Sequence, residues 1–412
     1  MNLVTVNIDN IRIGQPLAFS LWDEDGVLLA QKGLVVANRK ELDTIIGERG
    51  TLFIDVSESE THRRAYVSKL RHMVLEERAL GQIADSQFST LELEKENLPE
   101  AVNTEEPGWL DLQAQANAML RDNNPATFRT RLNKLQEQLN RHARINPDGT
   151  LFALIHLSSS ELQLYSATHA MLVSVMCSLA AREVLKWPPE MEDTLCKAAL
   201  TMNIGMTELQ DLLAQQKEPP NAEQQRLIEE HALRSAHMLE QLGVTDQVWL
   251  EAVIDHREKI PGPLRGRTPG QRMARLIQRA DMFAARLAPR ASRTPDSPAS
   301  AMQASYFDET RKVDESGAAL IKAVGIYSPG SFVRLSTDEI AVVIKRGANT
   351  TTPRVAVVVN RSGMPTGELI VRDTSKPEFR IVSGVPERDV KVKINLERLL
   401  VLTRLPATTS PW

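Results

Sequence analysis

Between residues 150 and 325 the apolar residues recur at intervals of three and four, which restricts this stretch to a run of amphipathic helices. A helix over 166–184 would bury Leu172, Val173, Met176 and Ala180. One over 190–202 would bury Leu195, Ala198 and Ala199. A third opens at Asn221, with Gln224 three positions on at capping-box spacing. It carries Leu227, Ile228, Met238, Leu239 and Leu242 and stops at Gly243. A fourth, over 268–287, carries Met273, Ile277, Phe283 and Ala284. Residues 289–298, rich in Pro, Ser and Thr, read as loop.

Polar residues interrupt these apolar stripes at four places. His169 shares a face with Leu172, Val173 and Met176, and His231 follows Leu227 and Ile228. His256 follows Ala252 and Val253, and Asp281 continues Met273 and Ile277. One inward histidine is ordinarily a satisfied core residue. An inward aspartate is rarer, because burying an unpaired carboxylate is costly. Four together are explained if their faces converge, so that they satisfy one another or hold a metal. Imidazole with carboxylate suits divalent transition metals. The spacing leaves both readings open.

The two ends differ. Residues 1–72 read as a small β-rich module: Val4, Val6, Ile8, Ile11 and Ile13 alternate with polar residues, and the turn at 23–26 joins strands at 17–22 and 27–29. A short helix at 39–46, capped by Asn38, and a strand at 51–56 complete it. Residues 73–149 form an acidic linker and helices. The stretch 85–106 is rich in glutamate and poor in large apolar residues, and a helix pair spans 110–143. Residues 326–412 are β-rich, with strands at 332–335, 339–345, 354–360 and 368–371 and turns at 327–330 and Gly363. The expected fold is multi-domain and mainly α, a central helical domain flanked by β-rich modules.

A net charge of −4 gives no electrostatic footprint for nucleic acid. The two cysteines, Cys177 and Cys196, lie in apolar helical surroundings and read as buried free thiols, not as a disulfide framework. Residues 1–15 lack a basic-then-apolar signal pattern, and the longest apolar run, 170–181, falls short of the roughly 20 residues a membrane span needs. A cytoplasmic location is expected.

The order His169, then Thr201-Met-Asn-Ile-Gly-Met206, then His231, then Asp255-His-Arg-Glu258, then Arg279-Ala-Asp-Met-Phe283 resembles the HD-GYP family, a branch of the HD metal-dependent phosphohydrolases. The resemblance covers about residues 150–325 and implies a central all-α HD-type helical domain in a bacterial signalling protein. Active members of that family linearise cyclic di-GMP at a site of two or three metals. The resemblance assigns His169, His231, Asp255, His256 and Asp281 to a relic or weak metal site. It assigns Arg290 and Arg293 to phosphate binding.

The chain departs from that pattern where the chemistry is centred. Met202 and Asn203 stand in place of the family's His-Asp pair, Met206 in place of a lysine, and the Gly-Tyr-Pro signature is missing from 259–264. In the family the aspartate of the pair bridges two metals. An amide offers one neutral oxygen, and a thioether is a poor ligand for iron, manganese or magnesium. Without the bridge, a two-metal in-line displacement loses its centre. The degenerate site thus implies a non-catalytic signalling or scaffold protein acting with protein partners in cyclic di-GMP signalling, with no cofactor expected. Met202 and Met206 would fill the space of the lost metals. The alternatives are a cyclic di-GMP phosphodiesterase using iron or manganese, and a sensor that binds cyclic di-GMP without cleaving it.

Overall fold

Short apolar segments near the N-terminus pair into a small antiparallel sheet. In the computed structural model the described residues are 3–6, 17, 20–23, 28–30, 34, 52–55, 108–160, 164–291, 296–390, 392 and 396–404. The chain divides into two units, 1–106 and 107–412. In the first, β1 (Leu3–Val6), β2 (Leu21–Trp22), β3 (Leu28–Ala30) and β4 (Leu52–Asp55) form a sheet of order β1-β4-β2-β3. Leu3 lies opposite Asp55 and Val6 opposite Leu52, while β2 and β3 form the hairpin expected from the intervening turn. The expected helix at 39–46 and the acidic stretch at 85–106 lie outside the described residues.

The second unit is mainly helical. Several of its helices begin where side chains satisfy the free N–H groups of the first turn. Helix α1 (Trp109–Leu120) is followed by α2 (Pro125–Ile145), whose first turn is capped by the Asn124 side-chain oxygen Oδ1 accepting from Ala126 N at 3.0 Å. Next come α3 (Pro147–Ser160), α4 (Tyr165–Leu179), α5 (Pro189–Thr201), α6 (Thr207–Gln215), α7 (Ala222–Gln241), α8 (Gln247–Asp255) and α9 (Pro269–Leu287). Asn221 and Gln224 form the capping box anticipated for α7, and Thr268 with Gln271 forms a second at α9. Helices α10 (Pro298–Tyr306) and α11 (Glu315–Val324) close the bundle.

At the centre of this bundle lies α4, every residue of which is buried. It packs on α1, α3, α5 and α9. Leu172, Val173 and Met176 join Leu195, Ala198, Ile277 and Phe283 in one continuous apolar core. The helix runs on through a π-helical turn, Ala180–Leu185. The resulting 21-residue stretch is longer than the apolar run read from the sequence, and by length and composition it could cross a membrane. Yet 78% of its apolar window is covered within the protein, the condition of a core helix. Truncating a side chain such as Leu172 to Ala would cost about 2–5 kcal/mol.

Strands β5 (Phe332–Leu335), β6 (Ile340–Lys345), β7 (Arg354–Val359), β8 (Pro365–Asp373) and β9 (Ile381–Val385) form a second antiparallel sheet of order β8-β7-β6-β5-β9. Period-2 alternation sends Val342, Ile344, Ala356 and Val358 to one face, where Phe152 of α3 and Leu399 of α12 (Leu396–Thr403) cover them. Val333, Ala341, Val343, Val355 and Val357 fill the other face beneath Tyr327 and Ile381. Both faces being covered explains the nearly unbroken apolar runs. Gly330, at φ 88°, turns the chain into β5 beside α3, where a Cβ would lie 3.0 Å from the Phe152 carbonyl oxygen. Neither β9 nor α12 was expected from the sequence, and β8 is longer than the 368–371 anticipated.

The sheet is fastened to the helices by Arg346. Its Nε donates to Asp148 Oδ1 at 2.8 Å and its Nη1 to Glu183 Oε2 at 2.9 Å, with a further bond to the Ala323 carbonyl oxygen. One side chain thereby joins β6 to α3, to the π-helical turn and to α11.

Candidate functional site

Four helices carry His169, His231, His256 and Asp281 into the interior of the second unit. The three imidazoles are 1–2% exposed, and Asp281 retains about a quarter of its side-chain exposure, 24%. They form two pairs. His169 Nε2 lies 2.7 Å from Asp281 Oδ1, joining α4 to α9. His231 Nε2 lies 3.2 Å from His256 Nε2, joining α7 to the end of α8.

In the first pair, Nε2–H of His169 donates to the aspartate. Burial would raise the Asp281 carboxyl, but the His169 hydrogen bond and charge, with His256 and Arg257 nearby, hold it down at about 2. It is therefore an anion over the physiological range. The other ring nitrogen of His169, Nδ1, is buried and has no hydrogen-bond partner among the described residues. The ring is stacked on Tyr165 with centroids 5.6 Å apart, and Arg290 donates from Nη2 to the Tyr165 hydroxyl at 3.1 Å and lies over its ring.

In the second pair, both Nδ1 atoms are committed. His231 Nδ1 donates to the Ile228 carbonyl oxygen at 2.5 Å and His256 Nδ1 to that of Val253 at 2.6 Å. A neutral imidazole that donates from Nδ1 carries a lone pair on Nε2. Burial lowers the pKa of both rings, and with His231 alongside it brings His256 down to about 4. Both rings are thus neutral near pH 7, and two lone pairs confront each other across 3.2 Å.

The turn between α5 and α6 carries the residues that depart from the HD-GYP pattern. Met202 is sealed into the helical core, and Asn203 is half-buried, with no side-chain hydrogen bond among the described residues. The turn is held against α7 by Gly205 N donating to Ser235 Oγ at 2.9 Å, and a Cβ at Gly205 would sit 2.7 Å from Ser235 N. Trp249 Nε1 donates to Thr201 Oγ1 at 3.0 Å on the α8 side. Met206 lines a cavity of about 350 Å³ with Leu120, Leu227, Arg234 and Met238, and none of the inward histidines is among its lining.

Neither Asp255 nor Arg290 bonds to the two pairs among the described residues. Asp255 is half-buried beside Glu251 and Glu258 and bonds to Gln271. Burial, with those two charges, raises its carboxyl above the ordinary value. Arg290 serves Tyr165, and Arg293 lies outside the described residues. Two arginines to which the sequence gave no role, Arg275 and Arg279 of α9, are each 2% exposed and share Glu309 and Asp314. Their one signal was a pair of charges on the buried stripe of an amphipathic helix.

A two-metal hydrolytic centre does not fit this arrangement. Asn203 offers no bridging anion, and the one carboxylate among the inward residues is taken up by His169 at 2.7 Å. Among the described residues, no group of three or more His, Cys, Asp or Glu side chains is placed to hold a metal ion.

No protein-family model and no curated protein matches the chain. Among solved structures it is similar to Bd1817, a HDG"Y"P protein from Bdellovibrio bacteriovorus, at a TM-score of 0.42 and 15% identity, over 77% of this chain and 98% of that one.

Proposed function

We propose that the helical unit is a degenerate HD-GYP-like domain acting as a non-catalytic signalling or scaffold element in bacterial cyclic di-GMP signalling. The observation that carries this reading is the neutral amide of Asn203 at the position where the family's chemistry needs a shared anionic oxygen. The closed His169–Asp281 pair supports it, because the remaining inward carboxylate is already committed. The intact apolar core around α4 supports a retained structural role, since a domain kept for its surface needs its packing and not its ligands.

The test is turnover of cyclic di-GMP by the purified full-length chain supplied with manganese or iron. The proposal expects no turnover above that of a His169→Ala variant. Robust hydrolysis that His169→Ala abolishes, accompanied by two metal ions per chain, would reject it.

A further inference from the structure

The loop between α8 and α9 carries a charge opposite to that of the chain. The whole chain has a net charge of −4, yet 257–267 holds Arg257, Lys259, Arg265 and Arg267 against the single carboxylate of Glu258. Arg267 is tied back to the loop, donating to the carbonyl oxygens of Ile260, Gly262 and Pro263. The side chains of Arg257, Lys259 and Arg265 are exposed and make no hydrogen bond or ion pair among the described residues. Between them Ile260 is 51% exposed. A second loop repeats the pattern. Phe307 and Val313 lie opposite each other in an antiparallel bridge, 39% and 55% exposed, with Arg311 and Lys312 exposed beside them. The carboxylates of this loop are occupied: Glu309 accepts from Arg275 and Arg279, and Asp308 from the backbone N–H groups of Thr310 and Lys312. Hydrogen bonds set the two loops side by side. Gln278 donates to the Glu258 carbonyl oxygen at 2.8 Å and accepts from Arg275, which holds Glu309. Leu264 N donates at 2.9 Å to Glu315, two residues beyond Val313.

We infer that these two loops form a peripheral docking surface for an anionic lipid bilayer. Ile260, Phe307 and Val313 enter the headgroup region, and the flanking lysines and arginines meet lipid phosphates. The inference goes beyond the loss of catalysis and does not depend on it. Three features carry it. A single exposed apolar side chain is ordinary, but here three stand on adjoining loops, each beside a free cation. The charge is complementary to an anionic surface, because the cations lack partners while the carboxylates of the second loop are already engaged. Lastly, the three bonds from Arg267 hold the Ile260 loop in one shape before anything docks, so little ordering is left to binding. Apolar side chains standing on loops suit a flat, fluid surface better than an acidic protein, whose own anchors require pockets to fill.

The experiment is co-sedimentation of the full-length chain with vesicles of phosphatidylcholine, alone or with about one-third phosphatidylglycerol, at about 0.1 M salt. Partition onto the anionic vesicles should exceed that onto neutral ones at least tenfold. It should fall at least fivefold in Lys259→Glu with Arg265→Glu, and as far in Ile260→Ser with Val313→Ser. The same change of charge on α2, Lys134→Glu with Arg141→Glu, should leave it unaltered. Should a variant fail to fold, Ile260→Trp supplies a second reading: its added emission should move to the blue on anionic vesicles. Equal partition onto both vesicles, or none onto either, overturns the inference. So does an equal loss in the α2 pair, or full binding by Ile260→Ser with Val313→Ser. Retention on immobilised poly-glutamate without vesicle binding would assign the surface to an acidic protein and overturn it too.

Discussion

The carboxylate of Asp314 meets the guanidinium of Arg275 at 2.7 Å, both side chains being 2% exposed, and the same carboxylate accepts from Gly317 N to cap α11. Asp314 also lies 3.4 Å from Nε of Arg279, and Glu309 completes the group by accepting from both arginines. Removing one partner leaves a buried charge uncompensated. Asp314→Ala should therefore cost about 3–5 kcal/mol, with loss of the helix cap adding about 1 kcal/mol. Urea unfolding monitored by circular dichroism measures it. A loss under 1 kcal/mol would show that water reaches the arginines.

Arg346 makes a second prediction. Arg346→Met keeps the length of the side chain and removes the bonds to Asp148 and Glu183. Stranding Asp148 should cost about 3–5 kcal/mol. Because the bonds join sheet to helices, hydrogen exchange should quicken first at the end of β6 and the start of α3. Uniform quickening across the bundle would contradict the assignment of a local fastening.

Acid should weaken the protein in two stages. The folded-state pKa of His256 is brought down to about 4, below its ordinary 6.5, so the unfolded chain takes up a proton first. The stability due to neutral His256 is complete above pH 6.5 and is lost as pH falls from 6.5 towards 4, by about 3 kcal/mol at most. Asp281, held at about 2 against 3.8, contributes stability that is present above 3.8 and disappears as pH falls towards 2. Unfolding free energy followed from pH 7.5 to 3 should show the first stage, and His256→Leu should flatten it. A wild-type profile already flat between 6.5 and 4 would refute the neutral ring.

The Gly205 contact gives a fourth prediction. Gly205→Ala forces a methyl group to 2.7 Å from Ser235 N, so the turn bearing Asn203 must move away from α7. The cost should be about 1–3 kcal/mol. Ser235→Ala removes only the hydrogen bond to Gly205 N and should cost about 1 kcal/mol. Thermal unfolding ranks the two, and a larger loss for Ser235→Ala would be inconsistent with the contact geometry.

Much of the helical architecture was legible because its signals are local. Asn221 with Gln224 announces the start of α7, and the threes and fours of Leu172, Val173 and Met176 mark the buried face of α4. The same periodicity drew attention to His169, His231, His256 and Asp281 as inward residues. Which of them pair was not legible, since His169 and Asp281 meet across 112 positions through tertiary packing alone. The place of Met206 was hidden for the same reason: a turn residue can face either side. Strand β9 was missed because only Val385 of its apolar residues is buried, with Ile381 half-buried and Val382 exposed, so the segment lacks a strong apolar alternation.

The helix that carries His169 is wrapped by protein on every side. Nothing dissolved in the surroundings touches it directly, and no enzyme can append a group to it while the bundle is closed. A change outside reaches His169 through the neighbouring helices or through Asp281, its hydrogen-bond partner, whose side chain is 24% exposed. Traffic in the opposite direction obeys the same constraint. A change at His169 is felt outside only as a displacement of the helices that enclose it.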